Sequence, residues 1–230
     1  MTASQGFEGS QSSVPPLPPS GADRTGPPWE GQGPIVERFV DTLRSVLTDP
    51  TGTFARMRRE GGFGPPLIYA LISGIASGIL GMLIGFMLPF GRGWGMLGGM
   101  FAAGAGTIMY IVIGPIFLIC GLFIWSGLVH VVLSLTSAAK FPFETTFRVV
   151  AYSYGSAAPI GIVPIIGGWA AAAAGIVCSI FGLAQAQETT TGKAATAVLV
   201  PVAVCCGVAG LFMAMGMAAA LLGGLLGGSR

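Results

Sequence analysis

Two patterns of apolar and polar positions follow one another along the chain. From Ile35 to Leu47, apolar residues (Ile35, Phe39, Leu43, Val46, Leu47) recur at helical spacing, with Glu37, Arg38, Asp41 and Arg44 between them. This spacing predicts an amphipathic helix. Asp49 and Pro50 then supply an N-cap and a first-turn proline for a second short helix, with Phe54 and Met57 on one side and Arg56, Arg58 and Arg59 around the other. Gly61 and Gly62 end it. Residues 35–62 therefore read as an amphipathic segment at a bilayer surface. Its arginines, Arg56, Arg58 and Arg59, are placed to contact anionic lipid headgroups. Packing of the same apolar edge against the ends of membrane spans is the alternative, and the spacing leaves both open.

After Pro65 and Pro66 the alternation stops and apolar runs take over. Residues 66–88 carry no charge and, at ~1.5 Å per residue, reach across a ~30 Å hydrocarbon core. Residues 109–135, 146–165, 168–187 and 195–221 give four more candidate spans. The predicted fold is an all-α polytopic membrane bundle of five helices over residues 65–222. Residues 1–34, rich in Ser, Gly and Pro and including the run PPLPP (Pro15 to Pro19), read as a disordered tail. Residues 223–230 read as a short Gly-rich C-terminal tail. No signal peptide is expected, because the first long apolar run begins only at Pro65.

Composition strengthens this picture. Of 230 residues, 53% are hydrophobic and 9% charged, and mean hydropathy is +0.79; a soluble chain carries roughly 25% charged residues. No formal charge falls between Arg92 and Lys140, a stretch long enough for one span or two. Charge bias chooses between them. With five spans and a cytoplasmic N-terminus, Arg56, Arg58, Arg59, Lys140, Arg148 and Lys193 lie inside, against Arg92 and Arg230 outside. Six spans would even out the two sides, which the positive-inside bias disfavours. The Gly-rich piece Gly91 to Gly106 then becomes an outer loop or a partly helical lead-in. The C-terminus is expected outside. The basic flank points to anionic lipid rather than nucleic acid.

Several segments, in order, resemble the Yip domain family of five-span membrane proteins. They are LTDPTGTFARMRREGGFGPPLIYAL (Leu47 to Leu71) and KFPFETTFRVVAYSYGSAAPIGIVPIIGG (Lys140 to Gly168). The shared features are an Asp-Pro with a Phe a few residues on, Gly-Pro-Pro before the first span, Phe-Arg-x-x-x-Tyr-Ser opening the third, and prolines in its second half. The resemblance implies five spans and a cytoplasmic N-terminus. It also implies a noncatalytic scaffold or adaptor in membrane organisation or trafficking. Eukaryotic members bind Ypt/Rab GTPases. The short loops, Gly/Ala richness and Pro-rich tail point to a bacterial member in the cytoplasmic membrane, and since bacteria lack Rab GTPases that binding is not carried over. Expected partners are membrane lipids, further copies of the chain or other membrane proteins.

The third predicted span holds the strongest candidate chemistry. Glu144, Arg148, Tyr152 and Ser156 recur every four residues along one helix face, with Glu144 placed to pair with Arg148. Pro159 and Pro164 each remove a backbone donor and free a carbonyl four residues earlier. A broken, polar-faced helix fits a small transporter or lipid-handling site; the same residues also fit a kinked structural helix. His130, the one histidine, lies inside the second span, where ionisable groups are functional suspects. No Asp, Glu or Cys lies within a turn of it, and a nucleophile needs an oriented base, so no catalytic residue is assigned and no cofactor is implied. Met213, Met215 and Met217 with Cys205 and Cys206 are soft donors, but alternate positions diverge on a helix, and no metal is assigned. Cys120 and Cys178 complete the cysteines and show no disulfide or zinc spacing. Small residues form ladders at Ser73, Ser77, Gly81 and Gly85, at Gly167, Ala171, Gly175 and Ser179, and at Gly210, Ala214 and Ala218. Such ladders let helix backbones approach closely, within one chain or between copies.

Overall fold

The computed structural model describes residues 24–87 and 105–227. Residues 1–23 of the expected tail, residues 91–104 of the expected loop or lead-in and residues 228–230 of the expected C-terminal tail lie outside the described residues; of those expectations, residues 105–106 open a helix and residues 223–227 close one instead. Among the described residues the chain is helical, without a strand. A 3-10 turn at Pro28–Glu30 precedes α1 (Ile35–Thr48) and α2 (Pro50–Ala55). The long elements are α3 (Gly64–Met87), α4 (Ala105–Leu135), α6 (Gly167–Ala186) and α7 (Thr191–Gly227). Between them lies α5 (Phe143–Ala157), followed by a 3-10 turn at Ala158–Ile162.

Local chemistry accounts for the boundaries near α2. The Asp49 carboxylate accepts from Gly52 N at 2.8 Å, satisfying a first-turn donor, and Pro50 occupies the first turn where a missing N–H costs nothing. Short connections over residues 136–142, 163–166 and 187–190 make α4, α5, α6 and α7 successive antiparallel neighbours. The start of α5 therefore lies beside the start of α3, the ends of α4 and α6, and the start of α7. At this end α1 and α2 pack on α5 and α6, and we call it the head.

Among the described residues, four helices are long and apolar enough to cross a membrane: Gly64–Ile84 of α3, Ile111–Leu135 of α4, α6 itself, and Thr191–Ala218 of α7. The third predicted span, residues 146–165, differs. α5 has 15 residues, a rise of ~22 Å, and nearly all of it is buried from Thr145 to Ala157. Pro159 explains the break: it lacks the N–H that would bond the carbonyl of Gly155, and the Ser73 hydroxyl of α3 donates to that carbonyl instead. Beyond it Ile165 adopts φ +70° before α6 begins at Gly167.

The core sits in the head. Val46, Phe54, Met57, Tyr69, Val129, Leu133, Val149, Tyr152, Leu183 and Val198 are all buried in one cluster. Phe147 leads a neighbouring aromatic group with Phe63, Phe123 and Phe143. Trp29 belongs to the first cluster, which corrects the expectation of a disordered tail reaching residue 34. Its backbone N–H donates to Thr42 Oγ1 at 2.7 Å and its indole Nε1 to the Pro65 carbonyl at 2.8 Å, while Gly26 N reaches the Arg56 carbonyl at 3.1 Å. Trp29 also meets Phe39 edge to face and Tyr69 at a tilt, with ring centroids 6.3 Å and 5.6 Å away. Large aromatic burial with both polar groups satisfied outweighs the ordering entropy that a Pro- and Gly-rich segment otherwise loses.

Candidate functional site: a buried charge under the N-terminal segment

Arg148 is fully buried, the largest such side chain in the head. An unpaired guanidinium there would be very costly, and each of its three nitrogens has a partner. Nε donates to the Arg58 carbonyl and Nη1 to the Gly62 carbonyl, both at 2.9 Å, and Nη2 pairs with the Glu30 carboxylate. The loop that supplies the carbonyls turns at Gly61 (φ +141°) and Gly62 (φ +83°), a left-handed path that glycine takes without strain. The Glu30 side chain is itself nearly buried and also accepts from the Tyr152 hydroxyl at 2.6 Å. Beneath it, Tyr152 packs on Tyr69 with ring centroids 5.4 Å apart, and the Tyr69 and Ser156 hydroxyls bond at 2.9 Å.

The face Arg148, Tyr152, Ser156 is thus one polar column in the structure, but its carboxylate is Glu30 and not Glu144. Glu144 instead accepts from the backbone N–H of Gly62 at 2.7 Å, at the exposed rim. Sequence reasoning missed Glu30 because it falls in the Pro-rich segment. The available signal was Trp29, a large aromatic residue that a solvated linker has no use for.

His130 belongs to a different network. Its Nδ1 lies 2.9 Å from Thr146 Oγ1, which also accepts from Gln187 Nε2 at 3.1 Å. The Gln187 carbonyl oxygen receives Lys140 N at 3.0 Å and Phe141 N at 2.8 Å, so this side chain closes the α4–α5 connection onto the end of α6. Next to it, Glu188 (φ +48°) turns its carboxylate to Arg59 and, at 3.6 Å, to Arg24. The Arg59 hydrogen bond holds the Glu188 carboxyl below the usual carboxylate range, with the charges of Arg59, Arg24 and Lys140 acting in the same direction. Arg59 also stacks over Phe141 at 3.5 Å, whereas Arg56 and Arg58 are exposed.

A cavity of about 1090 Å³ opens between α4, α5, α6 and α7, walled by Phe117, Leu122, Trp125, Ile176, Val198 and small residues including Ala171 and Gly175. Tyr152, Ser156 and His130 do not line it, so the polar column and the cavity are separate features. Pro159 is half-buried and Pro164 exposed beyond the column.

The small-residue ladders are unevenly used. Ser73 is buried through its bond to Gly155, Ser77 is half-buried, and Gly81 faces open space where a Cβ would stand. The Cα face of Gly85 lies outside the described residues. In α6, Gly167 meets the Ile160 carbonyl at 2.6 Å from an ideal Cβ, and Gly175 meets Ala157 at 3.6 Å. Close approaches also fall outside the ladders: a Cβ on Gly155 would lie 2.7 Å from the Tyr69 ring, and one on Gly182 2.6 Å from Phe54. Gly210 faces open space, and Met213, Met215, Met217, Cys205 and Cys206 are exposed along α7. Among the described residues no His, Cys, Asp or Glu side chains gather in a metal-binding group.

Among the described residues, four long apolar helices, three of them packed on the short buried α5, define a multipass membrane protein. The Yip1 domain family matches residues 44–215, more than half of the chain, and the protein belongs to that family. No curated protein and no solved structure matches it.

Proposed function

We propose that the protein is a noncatalytic scaffold or adaptor of the membrane, presenting its N-terminal chain from a rigid cytoplasmic head. The observation that carries this reading is the buried pairing of Arg148 with Glu30 and Tyr152. It ties residues 24–34 to the base of α5, so the chain before Arg24 leaves the head from a set position. A polar column with every charge neutralised inside the chain is suited to holding shape. A transport route would instead need a polar cavity joining Tyr152, Ser156 and His130, and the cavity between α4, α5, α6 and α7 is lined mostly by apolar residues and by none of these three.

In this reading the bundle crosses five times. The 15 residues of α5 and the five of the following 3-10 turn together rise ~32 Å, enough for a bilayer core. With the cation-rich head, carrying Arg56, Arg58, Arg59, Lys140 and Lys193, on the cytoplasmic side as the positive-inside bias favours, the end of α7 lies outside. A C-terminal alkaline phosphatase fusion should then be active, and a C-terminal green fluorescent fusion dark, in a bacterial host. The reverse result removes the fifth crossing.

The adaptor role is tested by in-membrane crosslinking and detergent purification of three forms: the full chain, a deletion of residues 1–23, and Glu30→Gln. Defined partners of the full chain should be lost on deletion, while the deletion keeps wild-type melting. Unchanged partners in the deletion would overturn the adaptor reading. The apolar cavity favours a second reading, lipid handling, and lipid scrambling by the reconstituted chain above the rate of empty vesicles would promote it.

A further inference from the structure

Three cations converge on Glu188 at the rim of the head. Glu188 is bound by Arg59 and faced by Arg24 at 3.6 Å, and its backbone carbonyl accepts from Lys140 Nζ at 2.5 Å. These residues come from four places in the chain: the N-terminal segment, the loop after α2, the α4–α5 connection and the α6–α7 connection. The local sum is one negative charge against three positive.

The donors are also not used up. The Arg24 side chain is only 8% exposed, yet its Nε is buried with no hydrogen-bond partner, and Arg59 Nε is in the same condition. A buried guanidinium N–H without an acceptor is costly, and two of them beside each other mark a place built for more negative charge than Glu188 supplies. The arginines are held rigidly: Arg59 by stacking over Phe141, Arg24 through Nη1 to the Met57 carbonyl at 3.4 Å and through its own carbonyl, which accepts from Arg58 Nε at 3.3 Å. Two fixed planar forks and an ammonium match the oxygens of a phosphoryl group. Glu188, half exposed and in the left-handed region at φ +48°, is the one acidic group in the set and the one able to swing out.

We propose that Arg24, Arg59 and Lys140 form a binding site for a phosphoryl group, and that the Glu188 carboxylate occupies it until the ligand arrives. The site lies where the α6–α7 connection leaves the apolar spans, the level of phospholipid headgroups, so the phosphoryl group is that of an anionic lipid or free phosphate. The proposal does not depend on the adaptor role and stands or falls by itself.

The test uses the full chain in two settings. In neutral-lipid nanodiscs, thermal shift is compared with nanodiscs containing phosphatidic acid; in detergent, inorganic phosphate is titrated against chloride at equal ionic strength. Phosphatidic acid should raise the melting temperature of the wild type. Glu188→Gln should tighten binding about fivefold, and Arg59→Gln and Lys140→Gln should each weaken it by about the same factor, the value of one charge near an anionic surface. Arg59→Lys should fall between, because it keeps charge and loses the fork. A response to phosphatidic acid alone identifies a lipid headgroup, and a response to inorganic phosphate as well identifies a soluble phosphate site. Equal responses of wild type, Glu188→Gln and Lys140→Gln would overturn the proposal, as would a shift that chloride reproduces. If Arg59→Gln does not fold, the opposite signs expected for Glu188→Gln and Lys140→Gln still decide the matter.

Discussion

The head and the far half of α7 obey opposite rules. In the head, segments separated by more than a hundred positions pack around Arg148, and its guanidinium meets Glu30 and the carbonyls of Arg58 and Gly62, with the Tyr152 hydroxyl donating to the same Glu30 carboxylate. From Val204 to Met217, α7 shows Val204, Val208, Leu211, Phe212, Met213, Met215 and Met217 exposed and apolar. The first region is stabilised as a soluble core is, by apolar burial and polar satisfaction. The second needs only a solvent of hydrocarbon, because a helix satisfies its own backbone there. Mutations should therefore be felt strongly at one end and weakly at the other.

The largest effect is expected from Arg148→Ala, which leaves Glu30 buried without its charge partner and should cost about 3–5 kcal/mol of stability in detergent. Glu30→Gln should act in the same direction. Wild-type melting of Arg148→Ala, followed by fluorimetry, would mean that residues 24–34 are not held to α5. Next comes Gly155→Leu, where the new side chain meets Tyr69 and the backbone of Ala70 and should cost about 1–3 kcal/mol. Gly81→Leu points into open space and should melt as the wild type does in the same assay. A loss at Gly81 equal to that at Gly155 would erase the distinction between packed and lipid-facing glycines.

A smaller loss, about 0.5–1.5 kcal/mol, is expected for Glu144→Ala, which removes one hydrogen bond to Gly62 N. The contrast with Arg148→Ala separates the rim carboxylate from the buried charge. Smaller still is the pH effect of Glu188. Its folded carboxyl is held below the usual value of 4.5, chiefly by the Arg59 hydrogen bond. Its ionised form therefore stabilises the fold above that usual value, and this contribution is lost as pH falls through the depressed one. Melting curves of wild type and Glu188→Gln should differ at neutral pH and converge on acidification. A gap that persists in acid would show that Glu188 acts through something other than its charge. Least of all should change in Met213→Ala, on the exposed face of α7, where wild-type melting is expected.

Much of the fold is readable from local pattern. The long apolar runs are α3, α4, α6 and α7, because hydrocarbon length and helix rise together set how many apolar residues a crossing takes. The break after α5 is written in Pro159, since a missing N–H acts at its own position whatever the surroundings. The shared face of Arg148, Tyr152 and Ser156 follows from helical spacing alone.

By itself, then, the sequence determined a helical membrane protein of the Yip1 domain family, the placing of its apolar runs and the polar face of α5. The tertiary structure alone decided which carboxylate neutralises Arg148. Helical periodicity compares residues three and four apart, and by that measure Glu144 was the natural partner. Glu30 lies 118 positions away in a segment whose composition favours disorder, and it reaches Arg148 only because Trp29 finds a pocket between α1 and α3. The physical reason is that burial sets the need for a counter-charge, and burial depends on what the whole chain packs over a residue rather than on its neighbours in sequence.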